Sequence, residues 1–217
     1  MTIPAWTYSQ LEKFETCPKQ FYHVRVSKDV TEPPTDATKW GERVHTAFEH
    51  RILNGTALPE GMNQWEGIAT KIASMKGDIL CEQKMAINNA FQPADWSNAW
   101  SRGIADVAVV YKDSAVILDY KTGKRKPTEQ LMLYAGYAFA YYPQVNTVST
   151  GFVWLKEQKI DKTSFHRSDV STIWLEFLPR VRKLEMAYEK DKWVARPSGL
   201  CNGWCPVKLC EFYKDKK

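Results

Sequence analysis

The chain has no low-complexity stretch, no internal repeat and no long run of like charge. Disordered tails, solenoid arrays and polyelectrolyte segments are thereby excluded. No apolar run is long enough to span a bilayer. Residues Met1–Gln10 lack the basic and then apolar pattern of a signal peptide. The expectation is an intracellular, cytoplasmic protein with no membrane partner. In such a reducing compartment thiols serve metals or catalysis more often than disulfides. Neither sign of charge dominates: 30 Lys and Arg against 25 Asp and Glu leave +5. That balance permits a nucleic-acid partner without demanding one. No Pro/Gly-rich linker divides the 217 residues, so a single domain over 1–217 is expected, long enough for a well-buried core.

What is present is periodic. Ser9-Gln10-Leu11-Glu12 has the form of a capping box, and Leu11, Phe14, Pro18 and Phe21 form an apolar stripe. A helix through about Arg25 is predicted, broken or kinked at Pro18. Thr31–Thr38 reads as a loop. Trp40, Val44, Ala47, Phe48 and Ile52 predict a second helix, with His45 beside its stripe. Met62–Met75 is a weaker helix, and Leu80–Ala90 a strand carrying Glu82. Pro127 suits the first turn of a helix reaching about Tyr142, on which Gln130 and Tyr134 share a face. Thr147–Lys156 and Lys159–His166 read as a hairpin. Ser168 opens a last helix with Trp174, Phe177, Leu178, Val181 and Leu184 on its stripe. The order predicts an α/β fold, a mixed central sheet flanked by helices. From Trp193 onward Pro, Gly and Cys replace the regular pattern.

The densest chemistry lies on two runs, Arg102–Tyr111 and Ala115–Lys121, joined by Lys112-Asp113-Ser114. A tight connection pairs them antiparallel. With period two, Ile104, Asp106, Ala108 and Val110 share a face of the first run, and Ala115, Ile117, Asp119 and Lys121 a face of the second. Two carboxylates and an ammonium can then converge. An acid within Ala-Val-Ile-Leu-Asp-Tyr is costly unless paired. A divalent cation would pair it, and so would an internal Asp–Lys ion pair; both fit these residues.

Three of the five cysteines stand together as Cys201-x3-Cys205-x4-Cys210, with Cys17 far away in Thr16-Cys17-Pro18. Three thiols in ten residues, in a segment with little core of its own, point to a structural metal centre for which Cys17 is the candidate fourth ligand; a set of buried, reduced cysteines without metal is the alternative. Zinc and a four-iron cluster both fit four thiolates. Cys81 reads as an ordinary core thiol.

Taken together, these pieces resemble the PD-(D/E)xK nuclease superfamily. Gly103-Ile104-Ala105-Asp106 followed by Leu118-Asp119-Tyr120-Lys121-Thr122-Gly123 is similar to its catalytic strands, with Asp in the third motif position. Gln130-x-x-x-Tyr134, Gly41-Glu42-Arg43-Val44-His45, and Tyr8-Ser9-Gln10-Leu11 with Cys17-Pro18-x-x-Phe21-Tyr22 resemble motifs of its RecB-like exonuclease branch. The cysteines resemble the iron-sulfur staple of cluster-bearing members such as the CRISPR-adaptation nucleases. The spacing departs from theirs, x3 and x4 in place of x2 and x5, which bears on the identity of the metal.

The resemblance implies a restriction-endonuclease-like core whose Cys-rich tail, 193–217, is tied to the first helix through Cys17. It implies hydrolysis of DNA phosphodiester bonds, with Mg2+ or Mn2+ held by Asp106, Asp119, His45 and the backbone carbonyl of Tyr120. Lys121 would orient the attacking water or stabilise developing charge, and Glu82 would be a further acid. Gln130 and Tyr134 would contact substrate, as would Lys124 and Arg125 of the Lys124-Arg125-Lys126 loop. Trp96 and Trp100 could stack bases or fill core. The cysteines would hold a 4Fe-4S cluster or, alternatively, Zn2+. The expected substrate is DNA with free ends or a single strand, in recombination, repair or replication, beside a helicase, a recombinase or further copies of the chain. Two rival readings remain: a nuclease-fold protein that binds DNA ends or a partner without cutting, and a zinc-bearing nucleic-acid-binding module.

Overall fold

A computed structural model describes residues 3–125 and 128–215. Lys126 of the basic loop and Pro127, the expected helix start, lie outside the described residues. In chain order the helices are α1 (Tyr8–Thr16), the short α2 (Pro18–Phe21) running into a π-helical turn at Tyr22–Val26, α3 (Asp36–Asn54) and α4 (Glu66–Ala73). Strands β1 (Asp78–Ile87), β2 (Ser101–Val110) and β3 (Ser114–Lys121) follow, then α5 (Gln130–Tyr141), β4 (Thr147–Trp154), β5 (Lys159–His166) and α6 (Val170–Lys190). The sheet order is β1-β2-β3-β4-β5, antiparallel except for the parallel β3–β4 pair, whose crossover is α5. This is the expected mixed α/β sheet flanked by helices. Among the described residues no helix is long and apolar enough to cross a membrane. The chain forms two compact units, Pro34–Leu175 and a terminal unit made of Met1–Pro33 with Glu176–Lys217.

In the terminal unit, α1 is capped by Thr7 and not by Ser9. Gln10 N donates to Thr7 Oγ1 at 3.3 Å, and Thr7 N donates to Gln10 Oε1 at 3.2 Å. Both Thr7-x-x-Gln10 and Ser9-x-x-Glu12 satisfy the pattern, but starting at Tyr8 buries Tyr8, Leu11 and Phe14 on one side. Cys17 is extended, which ends α1, and Pro18 restarts the helix at a first-turn position. Phe177, Val181, Leu184 and Tyr188 of α6 are buried at helical spacing, whereas Leu178, expected on that stripe, is exposed because it lies one step round the helix. Trp193 stacks on Phe21, ring centroids 6.0 Å apart, and meets Tyr188 edge-on at 4.9 Å.

In the central unit, Val44 and Phe48 of α3 and Ala69 and Ile72 of α4 close over Val107, Val109, Leu118, Tyr120 and Val153 in one apolar cluster. Helix α5 stands outside that cluster and packs against β1, β3, β4 and β5. It is apolar nearly all round, as a buried crossover requires. A Cβ on Gly103 would meet the Tyr134 and Tyr137 rings of α5 at 3.0 Å, so glycine lets β2 and α5 approach closely without displacing those rings.

The β1–β2 ladder is interrupted where the chemistry lies. Cys81 pairs with Val107 and Gln83 with Ala105, but the intervening Glu82–Asp106 position is skipped, and Glu82 takes φ 48°. Residues of one parity face different helices on either side of the gap: Val107 joins the α3/α4 cluster, whereas Gly103 meets α5. The uniform alternation expected along β2 therefore does not hold through Asp106. A left-handed glutamate within a strand is costly and marks a position where local strain is tolerated.

Candidate active site

Pairing between β2 and β3 runs from Val110–Ala115 to Val107–Leu118 and stops. Asp106 and Asp119 occupy the next position, where the strands part. Asp106 Oδ2 accepts the Tyr120 backbone N–H at 2.5 Å. Its other oxygen, Oδ1, lies 3.2 Å from His45 Nδ1, and Glu82 Oε1 lies 3.8 Å from the same nitrogen. His45, Glu82 and Asp106 each offer a ligand atom, all within 4.8 Å of one another. Helix α3 supplies the histidine, β1 the strained glutamate and β2 the aspartate.

A second set joins this one through β3. Lys121 Nζ is 2.6 Å from Asp119 Oδ2 and donates to Gln130 Oε1 at 3.0 Å. Gln130 Nε2 faces both Asp119 Oδ1 at 3.1 Å and the Tyr134 hydroxyl at 2.9 Å. Tyr134 in turn donates to the Ile104 carbonyl at 2.8 Å. Gln130 and Tyr134, one turn apart on α5, thus fix the acid and the lysine of β3 together and moor them to β2.

The electrostatics leave room for a cation. Asp119 is 3% exposed, and burial, then the charge of Asp106, push its carboxyl up to about 7; Lys121 and His45 pull the other way only in part. Burial and Asp106 also raise the Glu82 carboxyl. Burial lowers His45, but its hydrogen bond to Asp106 and the charges of Asp106, Asp119 and Glu82 outweigh that and raise it. Asp119 Oδ2, for all its closeness to Lys121, has no well-directed hydrogen-bond donor. A buried carboxylate whose outer oxygen meets only the Lys121 ammonium, beside two more carboxylates and an imidazole, is the donor set a hard divalent cation takes.

A family model described as the PD-(D/E)XK nuclease superfamily matches residues 5–210. The chain belongs to that superfamily. Among solved structures, SSO0001 is similar over 99% of this chain and 90% of its own, with a TM-score of 0.52 and 14% identity. A candidate exonuclease from Eubacterium rectale is similar over 96% and 86%, with a TM-score of 0.52 and 11% identity. At such identities the likeness is one of fold. No curated protein matches the chain.

In this PD-(D/E)XK nuclease the remaining expected residues are distributed as follows. The Tyr120 ring turns into the α3/α4 core, 4.5 Å from Phe48 and 5.9 Å from His45, so its backbone is what meets the acids. Lys124 is exposed. Arg125 is drawn onto the β4–β5 hairpin, with Nη2 2.5 Å from Asp161 and Nη1 3.6 Å from Glu157. Trp100 packs with Phe91 and Trp174, while Trp96 lies under Arg102 at 4.9 Å and Lys84 at 5.7 Å. Cys81 is half-buried; burial, then Glu49, push its thiol up to about 11. Glu49 is an acid that the motifs do not single out. It follows His45 by one helical turn and acts on both Glu82 and Cys81.

In the terminal unit, Cys17, Cys201, Cys205 and Cys210 line one small pocket with Lys19 and Val207. Arg196 N donates to Cys17 Sγ at 3.4 Å. The Cys205 thiol is raised, first by burial and also by its three sulfur neighbours. Local hydrogen bonds, Cys205 N to the Leu200 carbonyl and Lys214 N to the Cys201 carbonyl, both 2.8 Å, fold the tail around the pocket.

Proposed function

We propose that the chain is a Mg2+- or Mn2+-dependent deoxyribonuclease, acting as an exonuclease in DNA recombination, repair or replication. The observation that carries this reading is the position of Lys121. Its ammonium is held between Asp119 and Gln130, beside the His45–Glu82–Asp106 group, with its side chain about one-third exposed. His45, Glu82, Asp106 and Asp119 would hold the cation, with the Tyr120 carbonyl as a further candidate. When bound, that ion supplies positive charge against the phosphodiester and lowers the cost of preparing a nucleophilic water. Lys121 steadies the water or the negative charge that grows on the phosphate oxygens. Gln130 fixes the direction of Lys121 and Asp119, and Tyr134 fixes Gln130. Lys124, exposed beyond the end of β3, would meet a neighbouring phosphate.

The exonuclease assignment draws on the RecB-like motifs and on the likeness to the Eubacterium rectale protein, itself described as a candidate exonuclease. The four cysteines are proposed to hold a 4Fe-4S cluster that staples α1 to the tail. Labelled linear and circular single strands and linear duplex, incubated with Mn2+, test the function. Cutting of linear strands and sparing of circles is expected for wild type, with loss of cutting and retention of binding for Lys121→Ala. Binding without cutting by freshly purified, metal-replete protein would favour the non-cleaving reading instead.

A further inference from the structure

The terminal unit carries a groove of about 520 Å3 that the proposed chemistry does not use. One wall is the last two turns of α6, where Lys183 and Lys190, seven residues apart, share a face with Met186 between them. Lys192 and Arg196, on the segment that follows, add two more cations. Among the described residues, Lys183, Lys190 and Lys192 make no ion pair; Glu189, held by Arg182, acts on Lys190 only at longer range. The lone acid on the wall, Glu15, is neutralised by Arg180, whose Nε and Nη2 reach its two oxygens at 2.7 and 2.8 Å. The rest of the lining is apolar: the 58% exposed Val194, Pro18, and the edge of Phe14, most of which is buried.

Unpaired ammonium groups along an apolar lining have a definite complement, a chain of regularly spaced anions that also presents flat, weakly polar faces. We infer that this groove binds single-stranded DNA, the lysines meeting phosphates and the apolar lining meeting unpaired bases. A duplex would offer the phosphates but keep its bases stacked inside. An acidic peptide would offer charge without the faces. Arg196 gives the groove a link to the cysteine pocket. Its backbone N–H lies on Cys17 Sγ, and its guanidinium donates to the Glu15 carbonyl, so order among the cysteines sets the position of one groove wall. The choice of DNA over other polyanions rests on the nuclease reading; the binding site itself does not.

The test is binding of a labelled single strand in EDTA, in a Lys121→Ala background so that nothing is cut. Lys183→Gln, Lys190→Gln and Lys192→Gln are combined on the exposed surface. The triple variant is expected to bind about tenfold more weakly at low salt, with the slope of log affinity against log salt shallower by about 2, near 0.7 per lost phosphate contact. Duplex DNA and poly-glutamate should compete poorly with the strand for wild type. In wild type, the strand should also slow acetylation of the same three lysines, a readout independent of any variant's folding. Unchanged affinity and slope, absence of protection, or displacement by poly-glutamate at equal charge would overturn the assignment. Failure of the nuclease reading would show separately, as no cutting by wild type in Mn2+.

Discussion

Asp106 gives one carboxylate oxygen to the backbone of Tyr120, 14 residues away on the neighbouring strand, and keeps the other for His45. The same side chain therefore closes the end of the β2–β3 pair and belongs to the candidate metal group with His45 and Glu82. Asn can accept the Tyr120 N–H but cannot replace the second anionic oxygen. Asp106→Asn is expected to melt close to wild type in EDTA and to lose all stabilisation by Mn2+. Asp106→Ala should melt lower in both, since an unsatisfied buried N–H costs about 1–3 kcal/mol. Equal melting of the two variants in EDTA would count against the double role.

Gln130 lies outside the His45–Glu82–Asp106 group and orients Lys121 and Asp119. Gln130→Ala should lower the cutting rate about 10–100-fold, the range for residues that support metal ligands. Strand affinity in EDTA should hold within a few-fold. A loss confined to affinity would make Gln130 a substrate contact and not a positioning residue.

The acids make stability depend on pH. Asp119 stands at about 7 in the fold, against about 3.9 for an unfolded aspartate. A carboxyl raised by folding contributes stability that is complete below the unfolded value and lost as pH rises through the folded one. Metal-free protein should therefore weaken between about pH 4 and 7, and His45, also raised, adds a loss in the same direction above about 6.5. A Mn2+ held by these groups would compensate the ionised carboxylates, so the gap between melting curves with and without it should widen as pH rises. Asp119→Asn should raise the metal-free melting temperature at alkaline pH. A gap that does not vary with pH would show that these groups do not share a cation.

Removing a cysteine should act on folding before chemistry. Cys205→Ala is expected to lower folded yield and melting temperature and to remove the broad visible absorbance of an iron-sulfur centre. Colourless wild type with bound zinc would change the metal but not the staple. Unchanged stability and metal content would remove both.

Much of this arrangement was legible in the sequence, because periodicity and spacing report what backbone geometry demands. The apolar spacing of Val44, Phe48 and Ile52 gave α3, and alternation along Ala115–Lys121 gave β3 and its pairing with β2. Ordinary pattern rules failed where two solutions fit one string, as with Thr7 against Ser9 for the α1 cap. They failed again where the surroundings override a residue's preference. Nothing in Leu80–Ala90 announces that Glu82 turns to positive φ and breaks the β1–β2 ladder. The Gln130 amide, spanning an acid and a lysine on another element, is likewise set by tertiary placement; its sequence signal was only the turn it shares with Tyr134. Glu49 had a usable signal, its one-turn spacing from His45.

The central claim is that Lys121 serves phosphodiester cleavage and does more than neutralise Asp119. Single-turnover cutting of a saturating, end-labelled strand in Mn2+, comparing wild type with Lys121→Ala and Lys121→Met, tests it most directly. A fall of about a hundredfold or more in rate for both variants, as for loss of a group that stabilises developing charge, with strand binding and melting temperature retained, is predicted. Cutting at the wild-type rate by either variant would contradict it.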